Sequence, residues 1–213
     1  MKFAKVVIYD LDNTIYPVNA ISKEVASPVF DTIIDVGKEY FTNRRLREIM
    51  IDCYKIPTRE IYKKYKFPAE MVSAVEMAFD KIRIDYPLNP YSDYPAIKRI
   101  SDQRFLVTSG PFKFQNLKID NLCIRQDFNE IFIHDDDEES CIGKMKIFSH
   151  ILLYYGLDNE QVVVVGDSVS SEITAGNNLG LTTVQILRQG VKKSDGAKYY
   201  VDNFYDLAQL LEN

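Results

Sequence analysis

The sequence predicts an α/β fold, a doubly wound parallel sheet with an inserted α-helical subdomain, from three observations. Short apolar runs of strand length recur along the chain. Helix-like stretches separate the later runs, and one long helical segment follows the first. Alternation of this kind builds parallel strands covered by helices on both faces.

The first run, Phe3 to Tyr9, is expected as a strand, followed by Phe105 to Thr108, Ile131 to His134, Val162 to Val165 and Thr182 to Ile186. Val162-Val163-Val164-Val165 is apolar at both parities, as a central strand buried on both faces requires. Between Ser140 and Tyr155, Ile147, Ile151 and Tyr154 recur at helical spacing, and Gly156 supplies a stop. The segment from Pro17 to Pro95 has a different texture. Val29, Phe30, Ile33, Ile34 and Phe41 mark one amphipathic stretch; Leu46, Ile49, Met50 and Cys53 a second; Met71, Val75, Ala78, Phe79 and Ile82 a third. Prolines at 57, 68, 87, 90 and 95 punctuate them. Residues 1–16 and 96–213 are thus expected to form the sheet core and 17–95 an inserted helical subdomain, because a structureless loop of that length is out of place in a compact domain.

Composition narrows the function classes. The chain has 213 residues, 46% of them hydrophobic, enough to bury a core; its net charge of −5 lacks the basic footprint of a protein that binds a nucleic acid polymer. No apolar run approaches the roughly 20 residues of a membrane span, and Val6-Val7-Ile8 is too short for the apolar region of a signal peptide. A cytoplasmic protein with no membrane association is expected, and oligomeric state has no signal. Cys53, Cys123 and Cys141 are too widely spaced for a disulfide framework or zinc site and read as reduced, buried side chains. His134 and His150 read as packing or solvated residues. The acidic run Asp135-Asp136-Asp137-Glu138-Glu139 lacks the spacing of a calcium loop and reads as a solvated loop before a helix.

Chemistry concentrates at strand ends. The first strand runs into Asp10-Leu11-Asp12-Asn13-Thr14, two carboxylates just past its carboxyl end, where open α/β sheets bind ligands. One carboxylate can serve as nucleophile and the other as general acid/base. Gly166-Asp167-Ser168-Val169-Ser170-Ser171-Glu172 repeats the arrangement after the Val162 to Val165 strand. Carboxylates converging on one edge repel one another unless a cation neutralises them, and hard oxygen ligands favour Mg²⁺. Asp167 as a helix cap and Glu172 as a first-turn residue are the structural alternative. Thr108-Ser109-Gly110-Pro111 and Lys144 suit phosphate through hydroxyl, backbone N–H and ammonium groups; a helix cap and a solvated lysine are the plainer readings of Thr108 and Lys144.

In their order, Asp10-Leu11-Asp12-Asn13-Thr14, Thr108, Lys144 and Gly166-Asp167 resemble the motifs of the haloacid dehalogenase-like phosphohydrolases over nearly the whole chain. The resemblance implies a Rossmann-like catalytic core and makes the 17–95 insertion similar to a type-one helical cap of subfamily one. Tyr86-Pro87-Leu88-Asn89-Pro90 and the Thr-Ser-Gly-Pro turn look more distantly like the pyrimidine 5′-nucleotidase branch. The family's mechanism carries over residue by residue. Asp10 attacks phosphorus and forms an aspartyl-phosphate. Asp12 protonates the leaving group and then deprotonates water. Mg²⁺ is held by the Asp10 carboxylate, the Asp12 backbone carbonyl and Asp167. Thr108, Ser109, Lys144 and N–H groups of the first loop, at Leu11 and Asp12, bind the transferring oxygens. Two departures stand out: Glu172 replaces the usual Asp and reaches the metal directly or through water, and Met145 follows the lysine in place of proline, which leaves Lys146 as a second candidate.

Hydrolysis of a small phosphorylated metabolite is the leading expectation. A phosphomutase needs the same Asp10 and Asp12, and a non-catalytic binding or regulatory module is the alternative from another class. Dehalogenation is disfavoured, because that branch keeps no acid at the position of Asp12. The substrate itself is not written in these motifs, since the insertion, not the phosphate site, selects the leaving group.

Overall fold

A computed structural model describes residues 6–53, 58–135 and 140–212; Phe3 to Lys5 of the first expected strand, Asp136 to Glu139 of the acidic run and the side chain of Cys141 lie outside the described residues. The strands are β1 (Val6–Tyr9), β2 (Gln103–Ser109), β3 (Glu130–His134), β4 (Val162–Gly166), β5 (Thr182–Ile186) and β6 (Tyr199–Val201). They form one six-stranded sheet in the order β3-β2-β1-β4-β5-β6, and every pairing is parallel. β1 therefore lies between β2 and β4, and its register with both sets the carboxyl ends of all three strands side by side.

Alternation along β1 divides the core. Val7 and Tyr9 face one cluster with Leu106, Val163 and Val165, covered by α5 (Ile97–Ile100), α6 (Phe112–Asn121) and α9 (Phe204–Glu212). Val6 and Ile8 face another with Phe105, Val107, Val162 and Val164, covered by α7 (Ser140–Tyr155) and α8 (Thr174–Asn178). Both parities of the central strands are wholly buried because helices lie on both faces, which is why they read as unbroken apolar runs. α7 ends at Gly156, whose φ of +62° is a left-handed conformation that glycine adopts without penalty.

The long second segment is helical: α1 (Ser27–Gly37), α2 (Asn43–Cys53), α3 (Thr58–Tyr65) and α4 (Ala69–Phe79). Its apolar stripes close on one another in a cluster of their own, with Val29, Ile33, Leu46, Ile49, Ile61, Met71, Val75 and Phe79. The sequence does not mark α3, which is polar except for Ile61, Tyr62 and Tyr65; Ile61 and Tyr65 are buried and Tyr62 packs against the same cluster. Phe114 and Leu117 of α6 pack against this cluster and against the sheet cluster alike, so α6 is shared between them. Ile84 and Leu88, further along the chain, pack into the sheet cluster. Among the described residues no helix is long and apolar enough to cross a membrane.

Cys123 is exposed, not buried, at a φ of +52° after α6, and Cys53 is half-buried. His134 is buried and His150 stacks on Tyr154 with ring centroids 5.6 Å apart. Asp135 is not a freely solvated residue. Its carboxylate takes the Arg59 guanidinium of α3 at 2.5 Å and the Phe112 backbone N–H of α6 at 2.8 Å.

Candidate active site

The parity of β1 continues past its end. Asp10 follows Ile8 onto the α7 face, and its backbone N–H donates to Val165 of β4 at 2.9 Å. The chain then turns sharply: the Leu11 carbonyl accepts the N–H of Ile15 at 2.9 Å, and Asn13 takes a φ of +55°, which its short polar side chain tolerates. From behind, the buried Arg188 guanidinium donates to the Thr14 carbonyl and pairs with Asp93 at 2.8 Å, which fastens this turn to the β5 end of the sheet.

On the α7 face, Lys144 Nζ lies 2.6 Å from one Asp10 oxygen and 2.8 Å from Glu172 Oε2. The other Glu172 oxygen accepts the Ser168 N–H at 2.6 Å. Glu172 sits in a single π-helical turn, Val169–Ile173, not at the start of a regular helix; the wider turn brings its carboxylate back over β4. A Cβ at Gly166 would collide with that carboxylate, so the close approach requires glycine there. Asp10, Asp167 and Glu172 each offer a carboxylate oxygen within 4.8 Å of the others.

The electrostatics are unbalanced. Burial pushes the Asp10 carboxyl well above the usual carboxylate range; Lys144 pulls it down, while Glu172, Asp167 and Asp12 push it further up. Burial, then Glu172, raises Asp167 to about 7 against the opposing pull of Lys144. Burial works against the Lys144 ammonium, but Asp10 and Glu172 outweigh it and hold its pKa above the usual lysine value. Three ionised carboxylates facing one ammonium leave two negative charges over. A buried set of hard oxygen donors with that excess fits Mg²⁺ or a similar divalent cation.

Asp12 belongs to a different set. Lys118 Nζ of α6 lies 2.7 Å from both of its carboxylate oxygens. Gln115 Nε2 donates to Thr108 Oγ1 at 3.1 Å and to the Ser109 carbonyl at 2.5 Å, with Asp12 Oδ2 at 3.3 Å. Thr108 is thus buried at the β2 end and linked to Asp12 through Gln115. Ser109 Oγ reaches Ser140 Oγ at 2.8 Å, which in turn reaches Ser171 Oγ at 2.6 Å, so hydroxyls join the end of β2, the start of α7 and the helical turn that follows β4.

The structure therefore brings Asp10, Lys144, Asp167 and Glu172 into one cluster and sets Asp12, Thr108 and Ser109 beside it. Lys146, the other lysine considered, is exposed on α7. Lys118 and Gln115 were missed. Their spacing of three on the helix that starts just after Thr108-Ser109-Gly110 is the signal that would have found them, since it puts both on one face at the strand end.

The haloacid dehalogenase-like hydrolase family model matches residues 7–186, and the chain belongs to that family. It is 28% identical over 200 residues to a glyceraldehyde 3-phosphate phosphatase of Methanopyrus kandleri, covering 86% of this chain and 84% of the relative. With the glyceraldehyde 3-phosphate phosphatase of Methanocaldococcus jannaschii it shares 24% identity over 98% of this chain and 97% of the relative. The fold matches the Bacillus subtilis hydrolase YfnB, whose crystal structure is magnesium-bound, with a TM-score of 0.63 at 14% identity and full coverage of both chains.

Proposed function

We propose that this hydrolase is a Mg²⁺-dependent phosphatase that hydrolyses a small phosphorylated sugar of the glyceraldehyde 3-phosphate kind through an aspartyl-phosphate on Asp10. The observation that carries the reading is the cluster of Asp10, Asp167 and Glu172 beside the Lys144 ammonium. Substrate class rests on the names of the two archaeal relatives.

In this reading an Asp10 oxygen attacks phosphorus as the bond to the leaving oxygen breaks. Asp12 gives that oxygen its proton. A water then loses a proton to Asp12 and attacks the phosphorus of the aspartyl-phosphate, which releases inorganic phosphate, restores the Asp10 carboxylate and returns Asp12 to the protonated form in which it began. Lys144 stays beside Asp10 throughout and offsets charge on the transferring oxygens, with Thr108, Ser109 and the N–H groups of Leu11 and Asp12. Asp10, the Asp12 backbone carbonyl and Asp167 would hold Mg²⁺, which neutralises carboxylate and phosphate charge so that nucleophile and dianion can approach. Glu172 already spends one oxygen on Lys144 and the other on the Ser168 N–H, which favours a role in holding Lys144 over direct metal contact. Residues 17–95 serve as the cap that covers the strand ends and selects the leaving group. A cytoplasmic setting suits such a metabolite.

The test is release of inorganic phosphate from glyceraldehyde 3-phosphate by the purified chain, with Mg²⁺ and with EDTA. Release that depends on Mg²⁺ and disappears in Asp10→Asn is expected; turnover retained by that variant overturns the nucleophile assignment. Product analysis also separates a mutase, which would return an isomerised ester in place of free phosphate.

A further inference from the structure

We propose that Lys118, with Gln115, is the positioning residue for Asp12, fixing the orientation of its carboxylate; this rests on the acid/base role read for Asp12 above. Lys118 is an unusual lysine. Its side chain is only 4% exposed, and its ammonium lies over the Tyr16 ring at 5.6 Å and the Phe114 ring at 5.1 Å. A buried ammonium among aromatic rings needs an anion, and Asp12 supplies it through both oxygens at 2.7 Å. One point charge equidistant from two oxygens sets the direction of the carboxylate, and the Gln115 amide, 3.3 Å from Oδ2 alone, sets its turn about that direction.

Gln115 ties that orientation to the rest of the site. Its amide nitrogen faces Asp12, Thr108 and Ser109 together, so the group that moves protons is registered against the strand end that holds phosphate oxygens. Both residues stand on α6, a helix packed between two apolar clusters and hence a firm support. Proton transfer to a leaving oxygen demands this: a displacement of about 1 Å from productive geometry can cost about a hundredfold in rate. Lys118 is not a catalytic residue in this account. It acts through Asp12.

The proposal separates from a merely structural ion pair by the leaving group. p-Nitrophenolate leaves without a proton, so forming the aspartyl-phosphate from p-nitrophenyl phosphate does not call on Asp12; the alkoxide of glyceraldehyde 3-phosphate does. Both esters need Asp12 in the second step, when water is deprotonated. Lys118→Met keeps the length of the side chain and removes its charge. It is expected to give a burst of nitrophenolate at close to the wild-type rate, then turnover slowed about 10- to 100-fold, within the range of acid/base catalysis. With glyceraldehyde 3-phosphate the first step itself should slow by a similar factor, with little change in KM. Asp12→Asn provides the reference pattern, and Gln115→Met should show a weaker version of it even if Lys118→Met folds poorly by circular dichroism. Equal loss of burst and turnover with both esters, a raised KM with kcat intact, or wild-type kinetics in Lys118→Met and Gln115→Met would overturn the proposal. Failure of the wild-type chain to release phosphate from either ester would overturn the parent reading as well, so the two failures are told apart.

Discussion

Two buried lysines bracket the end of β1, Lys144 on the α7 side and Lys118 on the α6 side, and each touches an acid of the first motif. Their surroundings differ in charge. Lys118 faces the one carboxylate of Asp12, whereas Lys144 faces Asp10 and Glu172 with Asp167 close by. A one-to-one pair is neutral and can stay as built. The larger group carries an excess that only protons or a cation can remove, and the raised pKa values of Asp10 and Asp167 express the same excess. Adjacent acids in one motif are thus prepared for different work by what stands behind each of them.

The comparison breaks most visibly at Asp10. Asp10→Asn should lower phosphate release by about 10⁴-fold or more, as loss of a nucleophile does, measured as inorganic phosphate formed with Mg²⁺ present. Lys144→Met should cost about 10²- to 10³-fold in kcat and also destabilise the fold, by about 3–5 kcal/mol in urea unfolding, since it strips the buried Asp10 and Glu172 of their shared cation. A milder contrast is the metal dependence of the two lysine variants. Lys118→Met should keep the wild-type Mg²⁺ concentration for half-activity within about threefold, because its pair lies outside the acidic cluster, while Lys144→Met should shift it; equal shifts would erase the distinction.

The smallest effect is one of pH. In the metal-free protein Asp167 holds its proton up to about 7, above the unfolded carboxylate range, so the folded state binds more protons in that window. The stability this contributes is complete below the unfolded pKa and falls away as pH rises through about 7. Mg²⁺ favours the ionised carboxylates, so it should raise Tm more at about pH 8 than at about pH 5. Thermal unfolding with Mg²⁺ or EDTA at the two values checks this, and equal gains would mean that the cluster does not carry the excess charge assigned to it.

Much of this was legible in the sequence, for physical reasons. β1 and β4 are buried on both faces and so stand out as apolar at both parities, and the acids that follow them stand out because charge rarely ends such a run. Lys144 was recognisable by its place in the motif order, and its burial against Asp10 favours it over the exposed Lys146. What stayed hidden depends on tertiary partners. Lys118 looks like any surface lysine until Asp12 is seen across from it. α3 turns only Ile61 and two tyrosines toward its cluster, and β6 is a three-residue edge strand, too short to display a period. The π-helical turn that returns Glu172 over Gly166 has no local sequence signature; the collision that a Cβ would cause at Gly166 is its clearest trace.

The position of α6 between the two apolar clusters has a mechanical consequence. Phe79 of α4 meets Phe114 of α6 with ring centroids 5.8 Å apart, and Lys113 of α6 reaches Asp80 just past α4 at 2.5 Å. Both are fastenings of the cheap kind, since an aromatic pair is worth about 0.5–1.5 kcal/mol beyond its burial and exposed ion pairs typically less than about 1 kcal/mol. α6 is therefore a latch plate: firmly bolted to the sheet on one side, lightly caught by the helical layer on the other. A displacement of that layer is therefore passed on, in part, to the helix from which Lys118 grips Asp12.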